Sequence, residues 1–284
     1  MEKAFDLVMS VLRPQFDAMP ITENDYLHKS GLIYCAKCHT PKQTMIDLLG
    51  DEIKVKVLCD CQSAQLDREE AADRIRKRKE ALARSRDNNI DNKAWHESSF
   101  ELDDQRDRAA SGKAKAYVDV FDKMYSTDTG LLMYGGLGSG KTYLAACIAN
   151  ALLESGKRVM MTNLTSLISN VNADFGADRD YWMSRISRVD LLVLDDFGVE
   201  RTTEYAIEQS YEIVNTRYKS GKPMVITTNL TLQEMQQEPL LQKRRIFDRV
   251  IEKCIPVLVQ GDSRRKEIAE AKRREAMTLL EGSV

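Results

Sequence analysis

Residues 135–142 read Gly-Gly-Leu-Gly-Ser-Gly-Lys-Thr, which is a complete GxxxxGK[ST] phosphate-binding loop. A strand-like run at 130–134 leads into this loop, and a helix-like run at 143–153 follows it. The four glycines allow successive backbone N–H groups to turn inward and to form an anion cradle at the N-terminus of the helix. The segment therefore predicts a strand–loop–helix unit that binds a nucleoside triphosphate.

The loop also carries the side chains that such a site needs. Lys141 is expected to reach the β- and γ-phosphates, and the Thr142 hydroxyl is expected to ligate Mg²⁺. A glycine-rich turn without a ligand is the alternative, and the order of strand, loop and helix disfavours it. The residues predicted to bind the nucleotide here are Gly135, Gly136, Gly138, Ser139, Gly140, Lys141, Thr142 and Tyr143.

The surrounding sequence alternates apolar strands with helices. Continuous apolar strands separated by helices are typical of a parallel sheet that is covered on both faces, which predicts an α/β fold. Ligands of such sheets bind at the carboxyl ends of the strands. The predicted strands are 130–134, 158–162, 191–196, 223–229 and 254–259, and the predicted helices between them are 164–171, 180–188 and 203–219.

Two carboxylates end the third of these strands. Asp195 is placed to hold the Mg²⁺ shell opposite Thr142, and Asp196 is placed to orient or deprotonate the attacking water. A plain strand-end turn is the alternative interpretation. Asn229 ends the next strand and has two possible roles, either a hydrogen bond to the γ-phosphate or lytic water or a helix N-cap.

Cationic residues near the carboxyl end of the chain are further candidates. Arg245 and Arg249 share a face if 243–249 is helical, so that one of them could enter a neighbouring subunit's site as an arginine finger. A salt-bridged surface helix is the alternative. The segment 261–265, Gly-Asp-Ser-Arg-Arg, would bring a cation of the same subunit to the nucleotide.

Four of the six cysteines form two close pairs near the amino end. Cys35 and Cys38 form a CxxC motif, and Cys59 and Cys61 form a CxC motif. This spacing predicts a structural zinc ion held by four thiolates, although His39 could replace one of them and unrelated reduced thiols are the alternative. A section this small would take its folding energy from the metal.

Composition limits the remaining possibilities. The net charge of −2 excludes a globally cationic DNA-coating protein, so any nucleic-acid contact must be a local patch. The sequence has no apolar run long enough to span a membrane and no signal-peptide core, which predicts a cytoplasmic protein without a membrane contact. Six cysteines in a reducing compartment favour metal binding over disulfides.

The chain divides into four expected segments. Residues 1–64 form a zinc-binding, partner-docking domain, 65–94 a charged linker helix, 95–265 the nucleotide-binding core and 266–284 a charged C-terminal helix. Lys and Arg outnumber acids in the linker, which is either a solvated helix or a basic strip that contacts nucleic acid. An amphipathic stretch at 5–12 could dock a partner or pack on the zinc module.

Several of these segments together resemble one known family. The segments are 135–142, 191–200, 227–229, 245–249 and 261–265. They resemble the AAA+ replicative helicase loaders of the DnaC/DnaI type, over roughly residues 95–265, and the same order is similar to the IstB transposition helper ATPases. The cysteine-bearing N-terminal section looks most like DnaI-type and phage loaders.

The resemblance implies a fold, an activity and partners. The fold would be a P-loop AAA+ core with a five-stranded parallel sheet, a reduced or absent lid and a small zinc-ribbon-like N-terminal domain. The activity would be ATP hydrolysis during the loading of a hexameric, DnaB-like replicative helicase onto single-stranded DNA, with self-assembly in the presence of ATP. Asp196 stands where many AAA+ proteins have Glu, so hydrolysis is expected to be slow.

The resemblance also assigns roles to individual residues. Asn229 would be the sensor 1 residue, Arg245 the arginine finger acting in trans, with Arg249 as its companion, and Arg265 the sensor 2 residue.

Trp95, together with His96 and Phe100, could flank the adenine, although Trp95 could equally be part of the core. The other functions considered are an IstB-like transposition helper and a nucleotide-binding adaptor with little hydrolysis.

Overall fold

The structure is a computed structural model that describes residues 20–48, 51–172, 177–199 and 203–281. The stretch 5–12, for which a docking helix was considered, lies outside the described residues. The described chain divides into two compact units, one that ends at Glu80 and one that begins at Ala81. No helix among the described residues is both long and apolar enough to cross a membrane.

The first unit is built from two small antiparallel hairpins. β1 (Asp25–Leu27) pairs with β2 (Ile33–Cys35), and β3 (Gln43–Leu48) pairs with β4 (Asp51–Lys56). The buried apolar residues described in this unit are few: Ile33, Cys35, Ile53 and Cys59. Such a small core rarely folds without further crosslinks, which suits a metal-stabilised module.

A long charged helix, α1 (Asp60–Asn89), follows β4 and contains no buried residue. It begins at Asp60 rather than at residue 65, where the linker helix was predicted to begin. Cys61 therefore lies in its first turn. The amides of Gln62 and Ser63 donate to the Cys59 carbonyl at 3.0 and 2.9 Å and so close that turn. The second cysteine pair and the start of the helix are therefore one structural feature.

The second unit contains a five-stranded parallel sheet. Its strands are β5 (Gly130–Tyr134), β6 (Val159–Asn163), β7 (Leu191–Asp195), β8 (Met224–Thr228) and β9 (Cys254–Leu258). Their spatial order is β6-β7-β8-β5-β9, so β5 lies between β8 and β9. The carboxyl end of β5 therefore adjoins that of β8, and β8 in turn adjoins β7. The predicted α/β sheet is confirmed, with strand bounds close to the predicted ones.

Helices cover both faces of this sheet, and a separate apolar cluster lies under each layer. One layer includes α2 (Arg108–Asp119), the short α3 (Phe121–Ser126) and the central α4 (Lys141–Glu154). The other layer includes α5 (Leu164–Asn172), α6 (Ala177–Arg188) and α7 (Glu204–Lys219). It is completed by α8 (Leu232–Gln236) and α9 (Leu241–Lys253), and α10 (Arg264–Glu281) follows β9.

A buried arginine joins the second layer to the sheet. Arg217 of α7 is fully buried, and its guanidinium donates to the carbonyl oxygens of Ile186, Val189, Asp190 and Pro223. Burial lowers the pKa of Arg217 to about 10. The guanidinium donates to carbonyl oxygens that would otherwise be buried without donors. It therefore stabilises the segments that lead into β7 and β8.

Candidate nucleotide and metal sites

The phosphate loop connects β5 to α4 and depends on glycine for its path. Gly138 and Gly140 have φ angles of 77° and 107°, in the left-handed region that favours glycine. A Cβ on Gly138 would lie 2.4 Å from Ser263 Oγ, and a Cβ on Gly140 would lie 2.5 Å from Arg264 Nη1. The loop therefore packs directly against the segment that follows β9.

The loop contains polar groups whose arrangement suits a bound phosphate. Lys141 is 5% exposed, and its Nζ donates to the carbonyl oxygens of Gly135 and Gly136 at 3.0 and 2.8 Å. Ser139 is 4% exposed, and its Oγ has no hydrogen-bond partner among the described residues. A buried hydroxyl without a partner is costly, and amides at a helix N-terminus attract anions. The cradle therefore fits the phosphates of a nucleotide.

A cavity of about 320 Å³ opens above the loop. This volume lies within the range that small-molecule and cofactor sites occupy. Its wall combines loop residues with an acid, an amide, a cation and two aromatic rings. The lining residues are Trp95, Leu137, Gly138, Gly140, Lys141, Thr142, Tyr143, Asp196, Val199, Asn229 and Arg264.

The predicted magnesium ligands lie next to each other beside this cavity. The Thr142 and Thr227 hydroxyls both hydrogen-bond the Asp195 carboxylate, and Thr227 Oγ1 donates to Oδ1 at 2.6 Å. Burial raises the pKa of Asp195, although both hydroxyl donors oppose the shift. A buried carboxylate beside a loop hydroxyl is a favourable position for a divalent cation, whose charge would offset the cost of burial. The donor set therefore fits Mg²⁺.

Asp196 and Asn229 both line the cavity, as expected for residues at adjacent strand ends. Asp196 has a φ angle of 52°, which is uncommon outside glycine and places this residue beyond the end of β7. Its amide donates to Thr227 Oγ1 at 3.0 Å, so Thr227 holds both acids. Thr227 has no predicted role, although its position just before Asn229 on the neighbouring strand is evident in the sequence.

Besides Lys141 of the loop, the cation that lines the cavity is Arg264, the neighbour of the predicted Arg265. Arg264 pairs with Asp104, and its Nη2 lies 3.9 Å from Asp103 Oδ1. Arg265 lies in the first turn of α10, and its side chain is outside the described residues. Adjacent residues of a helix lie on different faces. The sequence alone does not show which face of the helix is turned toward the cavity.

The two arginines of α9 have different environments. Arg249 Nη2 donates to the Tyr211 hydroxyl at 2.8 Å, and the guanidinium lies 4.4 and 5.4 Å from the Tyr211 and Tyr218 ring centroids. Arg245 is exposed beside a second surface cavity of about 350 Å³. Neither residue lines the nucleotide cavity of its own chain. The arrangement leaves Arg245 accessible and packs Arg249 against α7.

Aromatic residues border the opposite side of the cavity. Trp95 and Tyr143 line it, and the Tyr143 hydroxyl donates to the Ser99 carbonyl at 2.8 Å. Asn150 of α4 donates to the carbonyls of Trp95 and Ser98 at 2.8 and 3.0 Å. These bonds fix the backbone before α2 against α4. His96 and Phe100, the other two candidates for the adenine, are not among the lining residues.

The first unit brings its four cysteines together. The sulfurs of Cys35, Cys38, Cys59 and Cys61 all lie within 4.8 Å of one another, and those of Cys35 and Cys61 are 3.6 Å apart. A tetrahedral zinc ion with Zn–S bonds of about 2.3 Å places its sulfurs about 3.8 Å apart. His39 is not in this group, and its ring lies beside Tyr26 instead. The cluster fits a tetrahedral metal ion bound by sulfur alone.

Hydrogen bonds to the sulfurs favour their ionised form in part of this cluster. The Thr40 hydroxyl, followed by the Cys61 amide, lowers the pKa of Cys38 to about 5. The amides of Cys38 and Lys37 lower the pKa of Cys35. The neighbouring sulfurs of Cys59 and Cys35 raise the pKa of Cys61 to about 12. Metal ligands must be deprotonated, so a bound cation would stabilise the thiolate form of all four cysteines, including Cys61.

Comparisons with known proteins agree with this architecture. A family profile described as IstB-like ATP binding protein matches residues 61–272. The replicative helicase loader DnaC of Escherichia coli (strain K12) is 31% identical over 163 residues, which are 56% of this chain and 64% of that protein. The chain thus spans less than two thirds of that relative.

Two solved structures share the fold. A crystal structure of DnaI gives a TM-score of 0.50 at 25% identity and covers 61% of this chain and 93% of that chain. A crystal structure of the DnaC helicase loader gives a TM-score of 0.52 at 22% identity and covers 60% of this chain and 100% of that chain. The phosphate loop, the strand order and the family match together place this chain in the IstB-like ATP-binding family, with the AAA+ fold shared by DnaC and DnaI.

Proposed function

We propose that this protein is an ATP-dependent loader that places a hexameric, DnaB-like replicative helicase on single-stranded DNA. The carrying observation is that one cavity joins Lys141, Thr142, Asp196 and Asn229 in a chain similar to DnaC and DnaI. The family match supports ATP binding. Hydrolysis, the magnesium ion, the helicase and the DNA are parts of the proposal.

In the proposed reaction, Lys141 and the loop amides hold the phosphates, while Thr142 and Asp195 hold Mg²⁺. The bound ion would neutralise charge on the β- and γ-phosphates. Asp196 orients the attacking water, and Asn229 hydrogen-bonds that water or the γ-phosphate. The carboxylate of Asp196 reaches less far than that of a Glu would, so it lies farther from the attacking water. Turnover is therefore expected to be slow.

Arg245 completes the site from a neighbouring subunit, and Arg265 contributes from the same subunit. Arg245 is exposed and is not among the residues that line the cavity of its own chain, which supports a role in trans. Mixing the inactive Lys141→Ala and Arg245→Ala variants tests this role, because a mixed assembly contains some interfaces with both residues intact. Partial recovery of ATPase activity is expected, and no recovery at any ratio would contradict the trans assignment.

The first unit is proposed to hold zinc in its cysteine cluster and to dock the helicase. Its small apolar core supports the metal assignment, since few buried contacts are available to fold it. Metal analysis of the purified protein should give one zinc per chain. Cys38→Ser should lose both the metal and the helicase, while Cys147→Ser, in the core of the second unit, should keep both.

The loading activity is tested with a DnaB-like helicase and a closed single-stranded circle that the helicase ring cannot thread. The intact protein with ATP should transfer the helicase to the circle, and Lys141→Ala should not. Assembly on duplex DNA without any helicase complex would favour the IstB-like helper instead. Helicase binding without turnover, unchanged by Asp196→Asn, would favour the adaptor.

A further inference from the structure

The first hairpin of the N-terminal unit carries a continuous row of aromatic rings, which we call the aromatic row and define as His28, Tyr34, Tyr26 and His39. The His28 and Tyr34 ring centroids are 4.5 Å apart, those of Tyr34 and Tyr26 are 6.0 Å apart, and those of Tyr26 and His39 are 5.9 Å apart. Tyr26 and Tyr34 are direct cross-strand partners in the β1–β2 register. The row includes two of the chain's three histidines.

The row is not part of the core of its unit. His28 and His39 are exposed, and the two tyrosines are only half-buried. The buried side chains of the hairpin, Ile33 and Cys35, alternate with Tyr34 along β2 and therefore lie on the other face. Packing of the small core does not explain why four rings align on the open face.

Charge along the hairpin favours an anionic partner. No Asp or Glu occurs from residue 26 to residue 46. Two exposed lysines are close in sequence to the ends of the row, since Lys29 follows His28 and Lys37 is two residues before His39. Asp25 is buried and paired with Lys42, Glu23 precedes β1, and the amide of the exposed Asp60 donates to Thr40, the neighbour of His39. A row of rings with a cation at each end provides both stacking surfaces and phosphate contacts.

A protein partner fits the other face of this hairpin better. Leu27, the next residue of β1, is 61% exposed and lies opposite Ile33. The rings of the row carry hydroxyl and imidazole groups, which suit the wet and sequence-tolerant contacts that unpaired bases make. An apolar anchor such as Leu27 is the type of side chain that a protein interface buries.

We propose that the aromatic row stacks the bases of single-stranded DNA, with Lys29 and Lys37 contacting the phosphates that flank the stacked bases. The inference rests on the proposed function in one respect, that single-stranded DNA is a partner of this protein. It adds a DNA-binding site in the N-terminal unit, separate from the nucleotide-binding core. Because no residue of the row belongs to the nucleotide-binding core, the proposal predicts DNA binding with and without ATP.

Fluorescence anisotropy of the full-length, zinc-loaded protein tests the proposal with three labelled probes: oligothymidylate, the same length of abasic strand, and duplex DNA. The wild type should prefer oligothymidylate, since only that probe offers unpaired bases. Tyr34→Ala should weaken its binding by about 5- to 150-fold, the range of base–aromatic stacking. Tyr34→Phe should keep most of the affinity, and Leu27→Ala, on the opposite face, should leave it unchanged.

Zinc content and a thermal melt of each variant show whether the hairpin is still folded, and the comparison of oligothymidylate with the abasic strand on the wild type keeps the test valid if Tyr34→Ala unfolds. Equal affinity of the wild type for the abasic strand would overturn the proposal, as would unchanged DNA binding by a folded Tyr34→Ala variant. Loss of helicase binding with intact DNA binding in that variant would show that the row docks a protein instead. The loading assay tests the proposed function separately, because helicase loading can succeed or fail whether or not the aromatic row binds DNA.

Discussion

Replacing Thr227 with valine removes a hydroxyl that holds both acids of the nucleotide site. Thr227 is fully buried, and its Oγ1 donates to Asp195 Oδ1 at 2.6 Å and accepts from the Asp196 amide at 3.0 Å. Valine keeps the shape and deletes both bonds. A bond to a carboxylate contributes about 1.5–3 kcal/mol and a neutral bond about 0.5–1.5 kcal/mol, so the variant should lose about 2–4.5 kcal/mol of unfolding free energy.

Urea unfolding followed by tryptophan fluorescence measures this loss. The chain has two tryptophans, Trp95 and Trp182, and both belong to the second unit, so the signal reports the unit that contains Thr227. The transition midpoint should fall with an unchanged slope. A loss below about 0.5 kcal/mol would refute the reasoning, because it would mean that these bonds contribute no net stability in the folded protein.

The same variant should change the pH dependence of magnesium-dependent ATP binding. Burial raises the pKa of Asp195, and the Thr227 hydroxyl opposes that rise, so Thr227→Val should raise the pKa further. Magnesium needs the ionised carboxylate, and binding should therefore be lost at a higher pH in the variant than in the wild type as the solution is acidified.

The ionised carboxylate of Asp195 favours magnesium binding but lowers the free energy of unfolding. A carboxyl whose folded pKa lies above its unfolded value stabilises the fold only while it is protonated, and that contribution is lost as pH rises through the raised pKa. Asp195→Asn should therefore raise the unfolding free energy at neutral pH while abolishing magnesium-dependent binding.

Thr228→Val is the matched control for both measurements. Thr228 Oγ1 donates to the Phe197 carbonyl at 2.7 Å and accepts from the Leu230 amide at 3.1 Å, and neither partner is ionisable. This variant should also lose stability, by about 1–3 kcal/mol. It should leave the pH profile of ATP binding unchanged, and a shift equal to that of Thr227→Val would contradict the assigned role of Thr227.

Three further outcomes are expected. Gly138→Ala should reduce ATP affinity at least about tenfold in calorimetry, because its left-handed φ and the contact with Ser263 oppose a Cβ, whereas Gly136→Ala has open space and should bind normally. Zinc removal by a chelator should unfold the first unit, seen as loss of hydrogen-exchange protection in β2, while the second unit stays folded. Arg249→Ala should lower the unfolding free energy by about 1–2 kcal/mol through loss of its contacts with Tyr211 in a urea melt; an unchanged midpoint would refute the packing role.

The parts of the fold that repeat a simple pattern followed from the sequence. Strands of continuous apolar residues, such as 191–194, are typical of a doubly covered sheet, and the predicted strand bounds are therefore close to the observed ones. Asp196 and Asn229 meet at the cavity because the carboxyl ends of parallel strands share one edge. The four cysteines came together because their spacing suits one tetrahedral ion.

The parts that depend on tertiary contacts did not follow from the sequence. The position of Arg264 at the cavity depends on the phase of α10, and ion pairs of Arg264 with Asp104 and of Glu267 with Arg106 hold this helix. The packing of Arg249 on α7 depends on the approach of α9, and a helical repeat gives no information about that approach. The bridge made by Thr227 requires the β7–β8 register, which only the folded sheet defines.

Titration of ATP with Mg²⁺ into the metal-loaded, full-length protein tests the central claim most directly. Saturable binding heat should appear with the wild type and should be lost in Lys141→Ala, because the buried ammonium of Lys141 is the main positive charge available to the phosphates within the loop. The proposed ATP-dependent self-assembly should also give the bound state a larger mass in light scattering. No heat with the wild type, or equal heat with Lys141→Ala, would contradict the assignment of residues 135–142 as the site that controls this protein.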